Sequence, residues 1–156
     1  MTDKPEGGCA CGAVRYRLES APMYVHCCHC SSCQTETGTA FALNLLIESD
    51  RVTLLSGAPR PVMTPSESGK GQQIWRCPEC EIAVWSNYGG AADKLRFVRG
   101  GTLDDPKAVT PDIHIYTRSK LPWVRLPEGA QAVEAYYASA EIWPEESLAR
   151  RKALFG

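Results

Sequence analysis

Long hydrophobic runs are missing from this chain. No apolar stretch approaches the roughly 18 residues that a membrane-spanning helix requires, so no membrane span is expected. Runs of one charge are missing too. Seventeen Lys and Arg against 18 Asp and Glu leave a formal net charge of −1. With no basic cluster to hold a phosphate backbone, nucleic acid is not an expected partner. The opening Met1-Thr2-Asp3-Lys4-Pro5-Glu6 lacks the apolar region of an export signal, and a cytoplasmic protein is the expectation. No internal repeat and no composition shift marks a boundary. Residues 1–156 therefore read as a single domain, long enough to bury a core without covalent staples.

What the chain does have is turn-formers and thiols: 13 Gly, 11 Pro and eight Cys, in a sequence that is 44% hydrophobic and 22% charged. The Gly and Pro content favours a β architecture with many short connections. Eight cysteines without an export signal read as metal ligands in a reducing compartment rather than as disulfides.

Strict alternation of Val14, Tyr16 and Leu18 with Arg15, Arg17 and Glu19 predicts a half-buried strand. Strands are also expected at 40–47, 51–55, 73–76, 82–86, 94–99 and 112–116. Gln34 to Gly38 predicts one helical turn ended by glycine, and Ser56 to Gly71 a polar surface loop, long enough to border a site. Pro144 to Phe155, with Glu145 and Glu146 at its positive end, predicts a C-terminal helix.

The chemistry concentrates at Cys28-His29-Cys30-Ser31-Ser32-Cys33-Gln34, three thiols within six residues. Packing alone gains nothing from an oxidisable residue at all three positions. A thiophilic ion explains the spacing, because tetrahedral zinc thiolates lie ~3.8 Å apart, within reach of C-x-C and C-x-x-C turns. Three thiols from one loop leave a fourth position, supplied from elsewhere or open to water or substrate. A second set joins Cys9-x-Cys11 to Cys77-x-x-Cys80, each pair in a turn, and four thiolates close a structural site. Cys27 reads as a small core residue beside the loop. His29, between two ligands in an extended loop, points away from their sulfurs. His26 is one candidate fourth ligand. His114 reads as a strand histidine, with a place on the pocket wall as the alternative. Trp123 is placed at a pocket edge. Arg76, Arg99, Arg118 and Lys120 read as solvated charge, with an anion clamp as the alternative.

These residues carry a resemblance. The stretches Gly8-Cys9-Ala10-Cys11-Gly12-Ala13-Val14, Cys28-His29-Cys30-Ser31-Ser32-Cys33-Gln34, Cys77-Pro78-Glu79-Cys80, Gly101-Thr102-Leu103-Asp104-Asp105-Pro106, and His114-Ile115 with Ser119-Lys120-Leu121-Pro122-Trp123 resemble the glutathione-dependent formaldehyde-activating enzyme family, also called the centromere-protein-V/GFA domain. The match runs over about residues 7–124. It implies a β-tent of small antiparallel sheets around zinc–cysteine sites. It further implies two zinc ions per chain, a structural one on Cys9, Cys11, Cys77 and Cys80 and a catalytic one on Cys28, Cys30 and Cys33. One position departs from the family, which usually has glycine after the last cysteine; here it is Glu81, at a turn that glycine eases.

The function implied is a carbon–sulfur lyase-type enzyme that adds a small thiol such as glutathione to a small aldehyde such as formaldehyde, or reverses that addition. The alternative is a non-catalytic zinc module that binds a partner. Neither reading fixes the oligomeric state.

Overall fold

The computed structural model describes residues 3–156. Met1 and Thr2, which open the stretch read for an export signal, lie outside the described residues. The architecture is mainly β, with ten strands in two sheets among the described residues. β1 (Glu6–Gly8), β2 (Arg15–Leu18) and β5 (Val52–Ser56) form a three-stranded antiparallel sheet. The second sheet runs β10-β3-β4-β9-β8-β7-β6. Its members are β3 (Tyr24–Cys28), β4 (Ala42–Glu48), β6 (Arg60–Thr64), β7 (Gln72–Arg76), β8 (Ala83–Tyr88), β9 (Leu95–Arg99) and β10 (Ile113–Ile115). With seven strands it is larger than the small sheets expected, and its β10–β3 pair is parallel.

Alternation decides which side chains meet. In β2, Tyr16 and Leu18 point inward and are fully buried, joined by Val14 just before the strand. They pack with Val25, Leu45, Ile47, Trp85 and Val98 of the large sheet, so this core lies between the sheets. The opposite face of β3 and β4 offers Tyr24, Cys28, Ala42 and Leu46 to a second core, which the C-terminal segment covers through Trp143, Leu148 and Leu154. Both faces of β3 and β4 are therefore buried, which accounts for their near-continuous apolar runs. Each fully buried large side chain contributes about 1.5–3 kcal/mol.

Gly7 sits where the two layers close. A β-carbon there would lie 2.5 Å from both the Thr102 carbonyl and the Tyr16 hydroxyl, so only glycine fits.

Among the described residues there are three α-helices, α1 (Ser31–Thr37), α2 (Ser139–Ile142) and α3 (Glu145–Phe155), alongside short 3-10 turns. The expected helical turn at 34–38 is the end of α1, stopped by Gly38 in the left-handed conformation (φ 69°). The C-terminal helix begins at Glu145 with Pro144 as its cap. One expectation is corrected. The stretch 56–71 is not one loop, because residues 60–64 form β6, paired with β7 from Arg60↔Arg76 to Thr64↔Gln72. Its polar, proline-containing sequence is that of an edge strand, which needs only one hydrogen-bonded side and tolerates Pro61. The remaining Pro65 to Gly71 turn does border a cavity.

Candidate metal centres and the cavity between them and the C-terminal segment

Two turns bring the outer four thiols together. Cys9 N–H donates to the Val14 carbonyl (3.1 Å) and Gly12 N–H to the Cys9 carbonyl (3.3 Å), which folds Cys11 back beside Cys9. Across the sheets, Cys77 N–H donates to the Ile82 carbonyl and Glu81 N–H to the Cys77 carbonyl, both at 3.0 Å. Cys9 Sγ lies 3.5 Å from Cys11 Sγ, and Cys11 Sγ lies 3.8 Å from Cys77 Sγ. All four sulfurs fall within 4.8 Å of one another. These separations are those of a tetrahedral thiolate site, ~3.8 Å. The backbone supports anionic sulfur. Val14 N–H points at Cys9 Sγ (3.2 Å) and Glu79 N–H at Cys77 Sγ (3.4 Å). The N–H groups of Ile82 and Cys11 pull the Cys80 thiol down to about 6. The donor set fits a thiophilic ion.

Glu81 adopts the left-handed conformation (φ 62°) that glycine would adopt more readily. The knuckle geometry is therefore kept despite the departure. The Glu81 carboxylate takes both bonds of Arg60 Nη2 (2.5 and 2.7 Å), tying the turn to β6.

The inner thiols come from one strand and one helix start. Cys28 ends β3, Cys30 caps α1 with its sulfur accepting from Cys33 N–H (3.3 Å), and Cys33 lies one turn into the helix. All three are buried, with sulfurs within 4.8 Å of one another. Hydrogen bonds from Cys28 and Cys33 pull the Cys30 thiol down to about 3 against its burial. Cys28, as the partner that keeps its proton, is pushed upward. Three sulfurs gathered in one buried cluster form a donor set that fits a thiophilic ion.

Helix α1 is held from outside the cluster. Glu36 accepts from Arg76 (3.0 Å) and Arg99 (3.2 Å), and Arg99 also donates to Ser86 (2.9 Å) and Asn44. Gln34 Nε2 donates to the carbonyls of His29 and Ser119, both at 2.9 Å. The sequence offered no sign of the Glu36 ion pairs, because ion pairing across strands leaves no local pattern.

Other expectations resolve as follows. Cys27, His29 and His114 form a third buried group. His29 Nε2 is 2.9 Å from His114 Nδ1 and 3.6 Å from Cys27 Sγ, so the ring does turn away from Cys28 and Cys30. His114 is paired with His29 and does not line the cavity. His26 lines the cavity but lies outside the three-thiol group, its Nε2 2.6 Å from the Tyr137 hydroxyl. Burial pushes His26 down to about 3, so its ring is neutral. Tyr137 shares a hydrogen bond with His26 Nε2 and accepts from Trp143 Nε1–H (2.6 Å). Trp123 is 69% exposed and lies off the cavity, held out on a turn of the Pro-rich segment. None of Arg76, Arg99, Arg118 and Lys120 lines the cavity. The first two serve Glu36, Arg118 pairs with Glu67, and Lys120 donates to the Leu121 and Val124 carbonyls.

A cavity of about 670 Å³ opens above the inner thiols. Cys28, Cys30 and Cys33 form part of its floor, and Tyr116, Tyr136, Tyr137 and Trp143 part of its wall. Clusters of this kind are chemistry without a name until relatives supply one. The model of the glutathione-dependent formaldehyde-activating enzyme family matches residues 4–119. The chain belongs to that family. A Halomonas elongata protein named "Putative glutathione-dependent formaldehyde-activating enzyme" is 28% identical over 97% of this chain and 96% of its own length. A Rhodobacter sphaeroides protein of known crystal structure aligns with 68% of this chain and 91% of its own, at 19% identity and a TM-score of 0.46. The family-model match ends before Tyr136, Tyr137 and Trp143 of the cavity wall, which the Halomonas alignment, at 97% of this chain, extends across. Among the described residues, no helix is long and apolar enough to cross a membrane.

Proposed function

We propose that this protein joins a small thiol to an aldehyde, and cleaves the adduct in reverse, at a zinc site on Cys28, Cys30 and Cys33. A second, structural zinc is assigned to Cys9, Cys11, Cys77 and Cys80. The single observation that carries this reading is that the outer group gathers four sulfurs while the inner gathers three, beside a cavity large enough for a small-molecule pair. Zinc bound by the inner three would lower the pKa of an incoming thiol from about 8.5 and polarise a carbonyl oxygen. The family and the Halomonas relative support glutathione and formaldehyde as the substrate pair.

The chain's own residues supply position and exclusion. Glu36, Arg76 and Arg99 fix α1 and with it Cys33. Apolar side chains of Leu46, Leu95 and Phe97 keep bulk water off the floor on the sheet side. In the addition, sulfur bonds to the carbonyl carbon, the π pair moves to oxygen, and the thiol proton ends on that oxygen. His114 is sealed against His29 and cannot deliver that proton; water entering the cavity does.

Cobalt substitution tests the reading. Glutathione should shift the thiolate-to-cobalt charge-transfer band of the wild type, and Cys30→Ser should lose both the inner-site band and turnover. A band unmoved by glutathione, cysteine or other small thiols would mean a closed site and a non-catalytic zinc module.

A further inference from the structure

The cavity wall facing the inner thiols is aromatic to a degree that formaldehyde cannot use. Tyr136 and Tyr137 stack with ring centroids 5.1 Å apart and an interplanar angle of 19°. Trp143 stacks on Tyr24 of β3 at 5.2 Å, and Tyr116 lies 6.3 Å from Tyr136. The wall is fixed in place. Tyr137 bridges His26, two residues before Cys28, to Trp143 through its two 2.6 Å hydrogen bonds. Its segment is tied to the strand that ends in Cys28, so the aromatic face is fixed against the cysteine floor. Across the cavity stand Leu46, Leu95 and Phe97, again without charge. Lys70, Arg151 and Glu67 line the cavity too, but Lys70 and Arg151 are exposed and Glu67 is paired with Arg118 (3.1 Å). Tyr136 is 53% exposed although it is a large aromatic at the mouth of a cavity. An aromatic face left open beside a chemical centre is a recognition surface for a flat apolar group.

We propose that this cavity takes an aromatic group, and that the aldehyde partner is an aromatic one, or one of comparable apolar bulk, seated against Tyr136, Tyr137 and Trp143. The assignment of that group to the aldehyde rests on the thiol–aldehyde reading above. Formaldehyde carries no hydrocarbon and leaves the wall unused, whereas an aryl ring removes apolar surface on both sides from water. The bonds change as before: one carbon–sulfur bond forms, the carbonyl π pair goes to oxygen, and the thiol proton follows. The aryl group takes no part in the chemistry. Tyr136, Tyr137 and Trp143 are then specificity-determining residues, and all three lie beyond residues 4–119, the stretch that the family model matches.

Two measurements on the metal-replete protein test this. The first is binding of benzyl alcohol, which cannot form an adduct, followed by ligand-observed NMR. The second is the rate of hemithioacetal exchange with 2-mercaptoethanol for benzaldehyde and for formaldehyde. The wild type should bind benzyl alcohol, and Tyr136→Ala should weaken that binding about fivefold or more. The same variant should lower the benzaldehyde-to-formaldehyde ratio of kcat/KM about tenfold, and Tyr136→Phe should restore both. Because Tyr136 is half exposed, its replacement leaves the core intact, and unchanged metal content verifies this. Failure of benzyl alcohol to bind, or equal binding by Tyr136→Ala, overturns the assignment. Wall-dependent binding with no exchange of either aldehyde leaves the ligand class standing and overturns the thiol–aldehyde reading instead.

Discussion

Replacing Glu36 by alanine should destabilise this protein more than any comparable change on its surface. Its side chain is only 7% exposed, with one oxygen on Arg76 (3.0 Å) and the other on Arg99 (3.2 Å), whose own side chain is 9% exposed. Without Glu36, Arg99 retains only the neutral acceptors Ser86 and Asn44, and its Nε already has no partner. Breaking a buried pair and leaving one charge behind costs about 3–5 kcal/mol. The Arg76 arm is 24% exposed and contributes less, about 0–1 kcal/mol. In a chain of this size each kcal/mol lowers the melting temperature by about 2–4 °C, so Glu36→Ala, at about 3–6 kcal/mol, should melt about 6–24 °C below the wild type.

The assay is urea unfolding of the metal-replete protein, reading the midpoint at constant m-value. Glu36→Gln keeps one acceptor oxygen and should lose about half as much. The double variant Glu36→Ala/Arg99→Leu removes the stranded charge and should recover part of the loss. A Glu36→Ala variant within 1 kcal/mol of wild type would refute the reasoning. So would a double variant less stable than the sum of its parts.

Cys77→Ser should lose one equivalent of zinc by elemental analysis and a large share of thermal stability, because structural zinc contributes about 10–16 kcal/mol in apparent terms; a variant with full metal content would remove the structural assignment. Mild chelation should withdraw one equivalent, from the three-thiolate site, with far-ultraviolet circular dichroism unchanged. At Glu81, melting temperatures should run Gly at or above Glu, then Ala, then Val, since the left-handed backbone costs a side chain about 1–2 kcal/mol and the exposed Arg60 pair returns at most about 1 kcal/mol. Burial raises the Glu48 carboxyl, but Arg150 at 2.6 Å, the Glu48 backbone N–H and Arg51 together bring the net direction down. That stabilisation is present above the unfolded carboxyl value of about 4.3 and is lost as pH falls through the lower folded value. The stability gap between wild type and Arg150→Met, measured by denaturation from pH 7 to pH 3, should therefore close on acidification.

The strands with one exposed face were legible in the sequence, and so was the helix from Glu145. Alternation in 14–19 carries its own instruction, and Tyr16 and Leu18 are buried where it puts them. The strand at 60–64 was hidden because Arg60, Pro61 and Thr64 satisfy an edge position, where neither alternation nor apolar content is required. The short helix α2 has four residues and no side-chain cap, so nothing local announces it. The cysteine groupings were legible because metal geometry restricts spacing within a turn. The aromatic wall was not. Tyr136, Tyr137 and Trp143 are separated by more than 100 residues from the strand they meet, as the His26–Tyr137 bond spans 111 positions. Such contacts depend on where the chain returns, which no spacing rule encodes.

The period of β3 explains how one short stretch serves two ends. Side chains alternate across a strand, and here the alternation continues from Tyr24 past the strand's end to Cys30. His26, Cys28 and Cys30 face the cavity, whereas Val25 enters the inter-sheet core and Cys27 and His29 gather with His114 on the other side. A single-residue slip in the β3–β4 register, Cys28↔Ala42 through Tyr24↔Leu46, would exchange the two sets and place Cys27 and His29 over the cavity. The register is pinned by more than hydrophobic pattern. Asp112 Oδ2 accepts from Val25 N–H at 2.8 Å, and His29 N–H donates to the Ile115 carbonyl at 3.0 Å, locking both ends of the stretch against β10. Cys28 and Cys30 therefore face the cavity in the phase that parallel pairing with β10 holds, and α1 brings Cys33 to them. The chemistry of the floor is set by a strand register before any ligand arrives.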